Sequence, residues 1–413
     1  MKVLMIAPQP FFEPRGTPIS IYQRLHGLSS LGHEVDLLTL PLGIDVDLPR
    51  LAIHRTMGLP FITRVKIGPS APKLLFDILL FFKAIQMLLT RRYDVIHSHE
   101  EAAFFAVVLA KLFGVPHIYD MHSSLPEQLR NFEFCNWWPF VALFRWLEGG
   151  TIRGSSAVLT IGADLEKQVI ALVPNANHIL IENMAGSMTT APQPEILAAI
   201  RAHFMAKDRP LVVYTGNFER YQGLDLLIDS IGLVVQQRPD VVLAIVGGTP
   251  QQVAACKARA DSLALGNNVV FTGTVSAVEA VHFLFAADIL VSPRTDGLSV
   301  PLKIYSYLRS GRPTVATNIY AHTQILNENI SVITEQNPES YSAGILRLVN
   351  DPDSREEIGM RAQAFAKAEF SLESYLDKLE QAYLSIRLAT PIRELAVSRR
   401  DAGTPAARTI EAA

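Results

Sequence analysis

Short apolar runs alternate with longer segments of helical periodicity along most of the chain. The runs predict strands over Val3–Ala7, Glu34–Leu40, Asp94–His97, His117–Tyr119, Ala157–Ile161 and His178–Ile181. Between them the pattern predicts helices near Ile19–Leu31, Pro72–Leu89, Ala102–Leu112, Trp138–Arg153 and Asp164–Leu172. A polar, proline-bearing stretch around Gly186–Pro194 breaks the rhythm and reads as a linker. Strands then resume at Leu211–Thr215, Val241–Val246, Val269–Thr272, Ile289–Ser292 and Thr314–Ala316, with helices near Asp225–Gln236, Gln251–Leu263 and Val278–Phe285. A last helix, Leu372–Leu388, is expected to close the second half. Such alternation predicts an α/β protein of two Rossmann-like halves, 1–190 and 191–388, each a parallel sheet flanked by helices. The remainder, 389–413, is small, charged and proline-bearing and is expected to fray.

One stretch, Ser292–Thr317, departs from plain periodicity. The strand Ile289–Ser292 runs into a glycine loop, Asp296-Gly297-Leu298-Ser299, and Pro301 stands where a helix takes its first-turn proline. Gly311 and then Pro313 mark the helix end. A strand, a glycine loop and a helix start aim backbone N–H groups and the positive helix end at one point, which suits an anion such as phosphate. Lys303 in the first turn adds a full charge there. The same residues also suit an ordinary strand–loop–helix corner with a solvated lysine.

Length and composition narrow the classes. At 413 residues the chain suits two domains, and 49% hydrophobic against 19% charged residues allows sizeable cores. A net charge of −3 argues against nucleic-acid binding through a general basic field. Cys135 and Cys256, far apart, suggest a reducing compartment. The opening run Met1–Pro8 is short for a signal peptide, and no apolar run approaches the roughly 20 residues of a spanning helix, so a cytoplasmic protein is expected.

The block Pro301-Leu302-Lys303-Ile304-Tyr305, with Tyr307, Gly311 and Pro313, resembles the donor-site segment of family 4 of the retaining glycosyltransferases, which have the GT-B fold. The resemblance extends in motif order over about residues 1–385. It implies two domains facing across a cleft, a nucleoside-diphosphate sugar as donor, and no further cofactor or metal. Departures are local. The spacing of the family's two glutamates would put them near Leu298 and at Ser306, and only Asp296 is nearby. In the loop Gly216–Gly223 the family's arginine and lysine are replaced by Asn217 and Gln222, leaving Arg220, Arg294 and Lys303 as cations. Gly247-Gly248 resembles the family's second glycine turn, and Phe271–Val275 the loop that meets the base. The loop Phe11–Pro18 corresponds to the family's glycine-rich approach to the donor phosphates and acceptor, with Arg15 and Gly16 towards the donor and Thr17 towards the acceptor; Gly32–Val35 matches a family turn nearby. His122, after the strand ending Tyr119-Asp120, stands where the family orients the transferred sugar. His99 and Glu100 end the neighbouring strand and point to the acceptor or sugar.

Several alternatives stay open. Histidines bind zinc, but no second ligand set follows at a recognisable spacing. Asp45-Val-Asp47 and Asp351-Pro-Asp353 spell the metal-binding DxD of other glycosyltransferases, yet both read as solvated turns. Pro72–Leu89 is apolar nearly all round, with Lys66, Lys73, Arg91 and Arg92 at its ends. It suits either a core helix or one that lies on an anionic membrane. Phe132, Phe134, Trp137, Trp138 and Phe140 suit core, acceptor wall or interface. The acceptor expected is lipid-linked or a polysaccharide precursor. The rivals are an inactive glycosyltransferase-like partner and another GT-B enzyme such as a sugar-nucleotide epimerase.

Overall fold

In a computed structural model the described residues are 1–12, 16–60, 62, 71–124, 138–184 and 192–389. Seven strands form the first sheet: β1 (Lys2–Ala7), β2 (Glu34–Thr39), β3 (Leu51–Arg55), β4 (Val95–His99), β5 (His117–Met121), β6 (Ala157–Thr160) and β7 (His178–Leu180). Six form the second: β8 (Leu211–Thr215), β9 (Val242–Val246), β10 (Val269–Gly273), β11 (Ile289–Ser292), β12 (Thr314–Thr317) and β13 (Val332–Thr334). Both sheets are parallel, in the orders β3-β2-β1-β4-β5-β6-β7 and β10-β9-β8-β11-β12-β13. Each order reverses direction once, between β1 and β4 and between β8 and β11. Ligands of such sheets bind at that reversal, outside the carboxyl ends of the strands.

Strand β1 shows why its residues build a buried sheet. Val3, Met5 and Ala7 face one core, and Leu4 and Ile6 face another. Apolar residues at every position are what a strand covered on both faces requires. The first core is roofed by helix Gly16–Ser30, the second by helices Ala71–Thr90 and Ala102–Phe113. The second sheet is covered in the same way, by Leu224–Gln237 and Pro338–Asn350 on one side and Ala277–Ala286 on the other.

Several expectations need correction. The last helix, Leu372–Ala389, does not close the second domain. Its Tyr375, Leu379, Ala382, Tyr383 and Ile386 are buried with Val3, Met5 and Val95 in the core of the first. Its helical pattern was legible, but nothing in an amphipathic stripe says which sheet it meets. Pro301 is the N-cap in extended conformation, and the helix proper is Leu302–Ser310, ended by Gly311 in the left-handed conformation. The aspartates of both DxD segments are exposed, as expected, and each segment has a structural partner: Asp45 pairs with Arg55 at 2.6 Å, and Asp351 caps helix Pro352–Glu369 by accepting from the Ser354 N–H at 3.0 Å. Strands β3 and β13 escaped notice because one is a mixed edge sequence, Leu-Ala-Ile-His-Arg, and the other only three residues long. Pro194 begins a helix, Pro194–His203, where the linker was expected to end.

The returning helix is seated through Gly27. A β-carbon there would lie 2.8 Å from Leu379 Cδ2 and 3.0 Å from Tyr375 Cε1, so the two helices touch backbone to side chain. Gly27→Val should therefore destabilise the first domain by about 1–3 kcal/mol through overpacking. It should also expose the last helix to limited proteolysis. Urea unfolding with a protease time course measures both, and wild-type values in each would refute the seating.

Candidate active site

The carboxyl ends of β4 and β5 carry a buried polar cluster. Asp120, on β5, accepts from Arg24 Nε at 2.7 Å and from His97 Nε2 at 3.1 Å, both at Oδ2. Arg24 also donates to the Tyr375 hydroxyl at 2.9 Å and to the Ile181 carbonyl at 3.2 Å. Asp120 Oδ1 lies 3.3 Å from Nε2 of His122, which meets His99 Nδ1 at 3.0 Å. Burial alone would raise the Asp120 pKa. The charge of Arg24 and the surrounding imidazoles outweigh it and hold the carboxyl well below its ordinary range. The histidines go the other way because burial penalises their charged forms: His122 is pushed down to about 4 and His99 well below its usual value. His122 and His99 are therefore neutral near pH 7.

His97, His99 and Asp120 each bring one ligand atom within 4.8 Å of the others. One Asp120 oxygen, Oδ2, is already held by the Arg24 guanidinium, and a second cation beside that charge is disfavoured by Coulomb repulsion. Glu100 follows in left-handed backbone, φ 50°, and is buried. It accepts from Ser123 Oγ at 2.7 Å, while burial and then the charge of Glu101 push its pKa up to about 8. Thr17 is half-buried at the start of helix Gly16–Ser30, beside Gly16 with φ 39°. Arg15, Cys135, Phe132, Phe134 and Trp137 lie outside the described residues, as do the side chains of Trp138 and Phe140.

The second sheet supplies the facing half at the ends of β8 and β11. Lys303 Nζ stands 4.0 Å from the centroid of the Tyr214 ring and donates to Gln222 Oε1 at 3.0 Å. Gln222 is buried, so the amide found in place of the family's cation serves as the acceptor that aims Lys303. Removal of the ammonium from water, and then the nearby Arg294 charge, lower the Lys303 pKa well below its ordinary value. An anion beside the ammonium would oppose both effects by favouring its charged form. Gly216 must stay small, since a β-carbon would sit 3.0 Å from Lys303 Nζ. Gly247, φ 120°, is pressed onto the Gly216 carbonyl, which a β-carbon would approach to 2.0 Å. Gly248 follows with φ 82°.

Arg294 is tied into its own loop. It donates to the carbonyls of Asp296 at 2.6 Å and Ser299 at 3.2 Å and stacks on Tyr221, so it shapes the loop Asp296–Ser299 from within. Asp296 caps the Gly297 N–H at 2.6 Å, and the Leu298 carbonyl accepts from Gln324 at 2.6 Å. Gln324 in turn accepts from the Asp164 N–H of the first domain at 3.3 Å. Asn217 and Arg220 are exposed on the loop after β8; Leu302, Ser306 and Val275 are half-buried. Tyr375, Tyr383, Arg24 and Gln324 were missed by sequence reasoning. Each lies far in sequence from the group it holds, and no local pattern marks it.

A model of the group 1 glycosyl transferases matches residues 197–365, and one of the glycosyl transferase 4-like domain matches residues 16–183. The two matches fall one on each sheet. A sulfoquinovosyl transferase of Arabidopsis thaliana is 23% identical over 376 residues, spanning 87% of this chain and 69% of its own length. A phosphatidyl-myo-inositol mannosyltransferase of Propionibacterium freudenreichii is 24% identical over 374 residues, spanning 87% and 89%. Among solved structures, sucrose-phosphate synthase of Thermosynechococcus elongatus superposes with a TM-score of 0.74 at 18% identity, over 94% of this chain and 100% of the other. Anabaena HepE in complex with UDP-glucose superposes with a TM-score of 0.70 at 17% identity, over 93% and 100%.

Buried neutral histidines make the fold acid-sensitive. His117, bonded to Ser98 at 2.7 Å and Ser155 at 3.0 Å, is lowered by burial to about 3. An unfolded chain protonates it near 6.5 and the folded one does not, so stability is present above 6.5 and is lost as pH falls towards 3. Glu100, raised, contributes with the opposite sign between 4.5 and about 8. His117→Gln isolates one group: between pH 6 and 4 its unfolding free energy should fall less steeply than wild type, by up to about 1.4 kcal/mol per pH unit. Urea midpoints at several pH values measure this, and equal slopes would contradict it.

Proposed function

Because the chain belongs to the family 4 glycosyltransferases of the GT-B fold and uses nucleotide-sugar donors, we propose that it transfers a hexose with retention of configuration, without a metal, to a lipid-linked acceptor. The observation that carries this reading is Lys303, aimed by Gln222 and Tyr214 at the strand reversal of the second sheet. In the proposed reaction the bond from the anomeric carbon to the diphosphate breaks. The acceptor oxygen bonds that carbon on the same face, and its proton passes to the leaving phosphate oxygen. Lys303 and the N–H groups at the start of Leu302–Ser310 stabilise the charge that grows on the diphosphate. His122 orients the sugar, and Glu100 and His99 border the acceptor.

The acceptor reading rests on a surface. Helix Ala71–Thr90 buries Phe76, Leu80, Ala84 and Met87 but exposes Leu74 (64%), Ile78 (47%) and Phe82 (62%). Val108 and Leu112 of the neighbouring helix are exposed too, as are Arg92 and Lys111, while Lys83 is half-buried. Two basic flanks were misjudged: Lys73 turns inward to pair with Glu101, and Arg91 pairs with Asp36 at 2.8 Å. Lys66 lies outside the described residues. No helix among the described residues is long and apolar enough to cross a membrane. An apolar stripe ringed by lysine and arginine suits peripheral docking on an anionic bilayer, and the mannosyltransferase relatives carry a phospholipid in their names. We place the enzyme on the cytoplasmic face.

Four experiments test this reading. A thermal-shift panel of nucleoside diphosphates and nucleotide sugars should stabilise wild type, and Lys303→Ala should keep the fold while losing on the order of 10²-fold in turnover. Activity should persist in excess EDTA; loss reversed only by a divalent ion would reject the metal-free mechanism. Co-sedimentation should show binding to phosphatidylglycerol vesicles and less to phosphatidylcholine vesicles. Phe82→Ser should weaken the former by roughly 10-fold or more, since a buried Phe contributes about 1.5–3 kcal/mol. Wild type absent from both pellets would return this helix to a purely structural role.

A further inference from the structure

The cluster around Asp120 has a definite direction of hydrogen bonding. An ionised carboxylate only accepts, so His97 donates from Nε2 at 3.1 Å and its Nδ1 is left as an acceptor. That nitrogen lies 2.8 Å from the Tyr383 hydroxyl, which therefore donates. Burial keeps this hydroxyl protonated. On the other side, Asp120 Oδ1 has no hydrogen-bond partner among the described residues and lies 3.3 Å from His122 Nε2. A lone pair on Nε2 would face that charge, whereas an N–H there is attracted to it. His122 Nε2 also meets His99 Nδ1 at 3.0 Å, and His99 Nδ1 is the more distant from the carboxylate, at 3.8 Å from Oδ2. The closer nitrogen should carry the proton.

We propose that Asp120 is a positioning residue that sets His122 as the Nε2–H tautomer, and that Tyr375 and Tyr383 of the last helix hold this carboxylate in place through Arg24 and His97. His122 then presents Nδ1 as an acceptor, and His99 presents Nε2–H as a donor. Neither atom has a hydrogen-bond partner among the described residues. The assignment leaves His122 with a buried acceptor at Nδ1, so that a group reaching it, such as a sugar hydroxyl, would have to donate rather than accept. It also gives the return of the last helix to the first domain a task beyond packing. The inference uses the glycosyltransferase reading only for what His122 touches; the tautomer itself stands on the geometry. The charged and titratable groups facing these rings are Arg24, His33, Asp120, His117, Tyr375 and Tyr383.

Long-range proton–nitrogen spectra of the full chain, labelled at histidine and recorded at pH 7.5, read the tautomer directly; His122→Gln assigns the signal. The expected result is one His122 tautomer with Nε2 protonated and Nδ1 bare. A protonated Nδ1 with bare Nε2 overturns the proposal. Asp120→Asn should mix the two forms but leaves Arg24 buried without its counter-ion, so the milder Tyr375→Phe/Tyr383→Phe pair is measured beside it. The pair should broaden or shift the His122 signals towards the mixed form. With whichever nucleotide sugar supports transfer by wild type, it should lower kcat about 10-fold with KM within about twofold. Leu379→Val, which loosens the same helix without touching the network, should change neither spectrum nor kcat. Equal effects from Leu379→Val and the tyrosine pair would reduce the network to packing and sink the proposal. A correct tautomer in a protein that transfers no sugar would support the relay while removing the transferase reading.

Discussion

A guanidinium and a carboxylate, Arg24 and Asp120, meet at 2.7 Å with almost no exposure on either side, and much of the first domain is arranged to permit it. Each charge buried alone would cost several kcal/mol, and the pair is tolerable because Arg24 also donates to Tyr375 and Ile181 while the bonded oxygen of Asp120 accepts from His97 as well. The pair and its partners come from five separate segments: helix Gly16–Ser30, β4 with His97, β5, the Ile181 carbonyl after β7, and the Tyr375 hydroxyl of the last helix. Such a pair adds little net stability compared with apolar side chains of equal size. Its effect is on placement, because these hydrogen bonds tie the five segments to one another. His97, His99 and His122 then gather around a fixed negative point.

The two halves of the cleft are electrostatic opposites. On the first sheet an anion sits among neutral imidazoles, a setting for hydroxyl groups. On the second, Lys303 is half-buried with its ammonium held over an aromatic ring and against an amide oxygen. The low pKa of Lys303 reflects a site from which water has been partly removed before any anion arrives. There an arriving negative charge interacts more strongly than it would in water. Gln324 links the halves, since it holds the Leu298 carbonyl of the loop Asp296–Ser299 and the Asp164 N–H of the first domain together. Loop geometry on one side is thereby tied to the separation of the domains.

Helix Ala71–Thr90 shows how one sequence can serve two surroundings. Its inward stripe fills the core under β1 and β2, and its outward stripe leaves Leu74, Ile78 and Phe82 in water. Large apolar faces on a folded domain mark a surface that meets something else. Lys73 lies on neither stripe in the sense its position suggested: it is drawn under the helix by Glu101, where Asp77 is raised to about 7 by burial and then by Glu101.

The sequence by itself determined the two parallel α/β halves, the strand–loop–helix corner at Ser292–Thr317 and the histidines that end β4 and β5. Those features are local: a period of two or of 3.6, a glycine that ends a helix, a polar residue closing an apolar strand. Glycine contacts were legible as glycines, but that Gly247 is pressed onto Gly216 was not. Only the tertiary structure decided which sheet the last helix joins, because Tyr375 and Tyr383 are more than 250 residues from the Arg24 and His97 they hold. It likewise decided that Gln222 aims Lys303 and that Arg294 binds its own loop. Whether a cation or an amide serves a site depends on which groups come to face it, and that is fixed by packing between distant segments rather than by the order of residues along the chain.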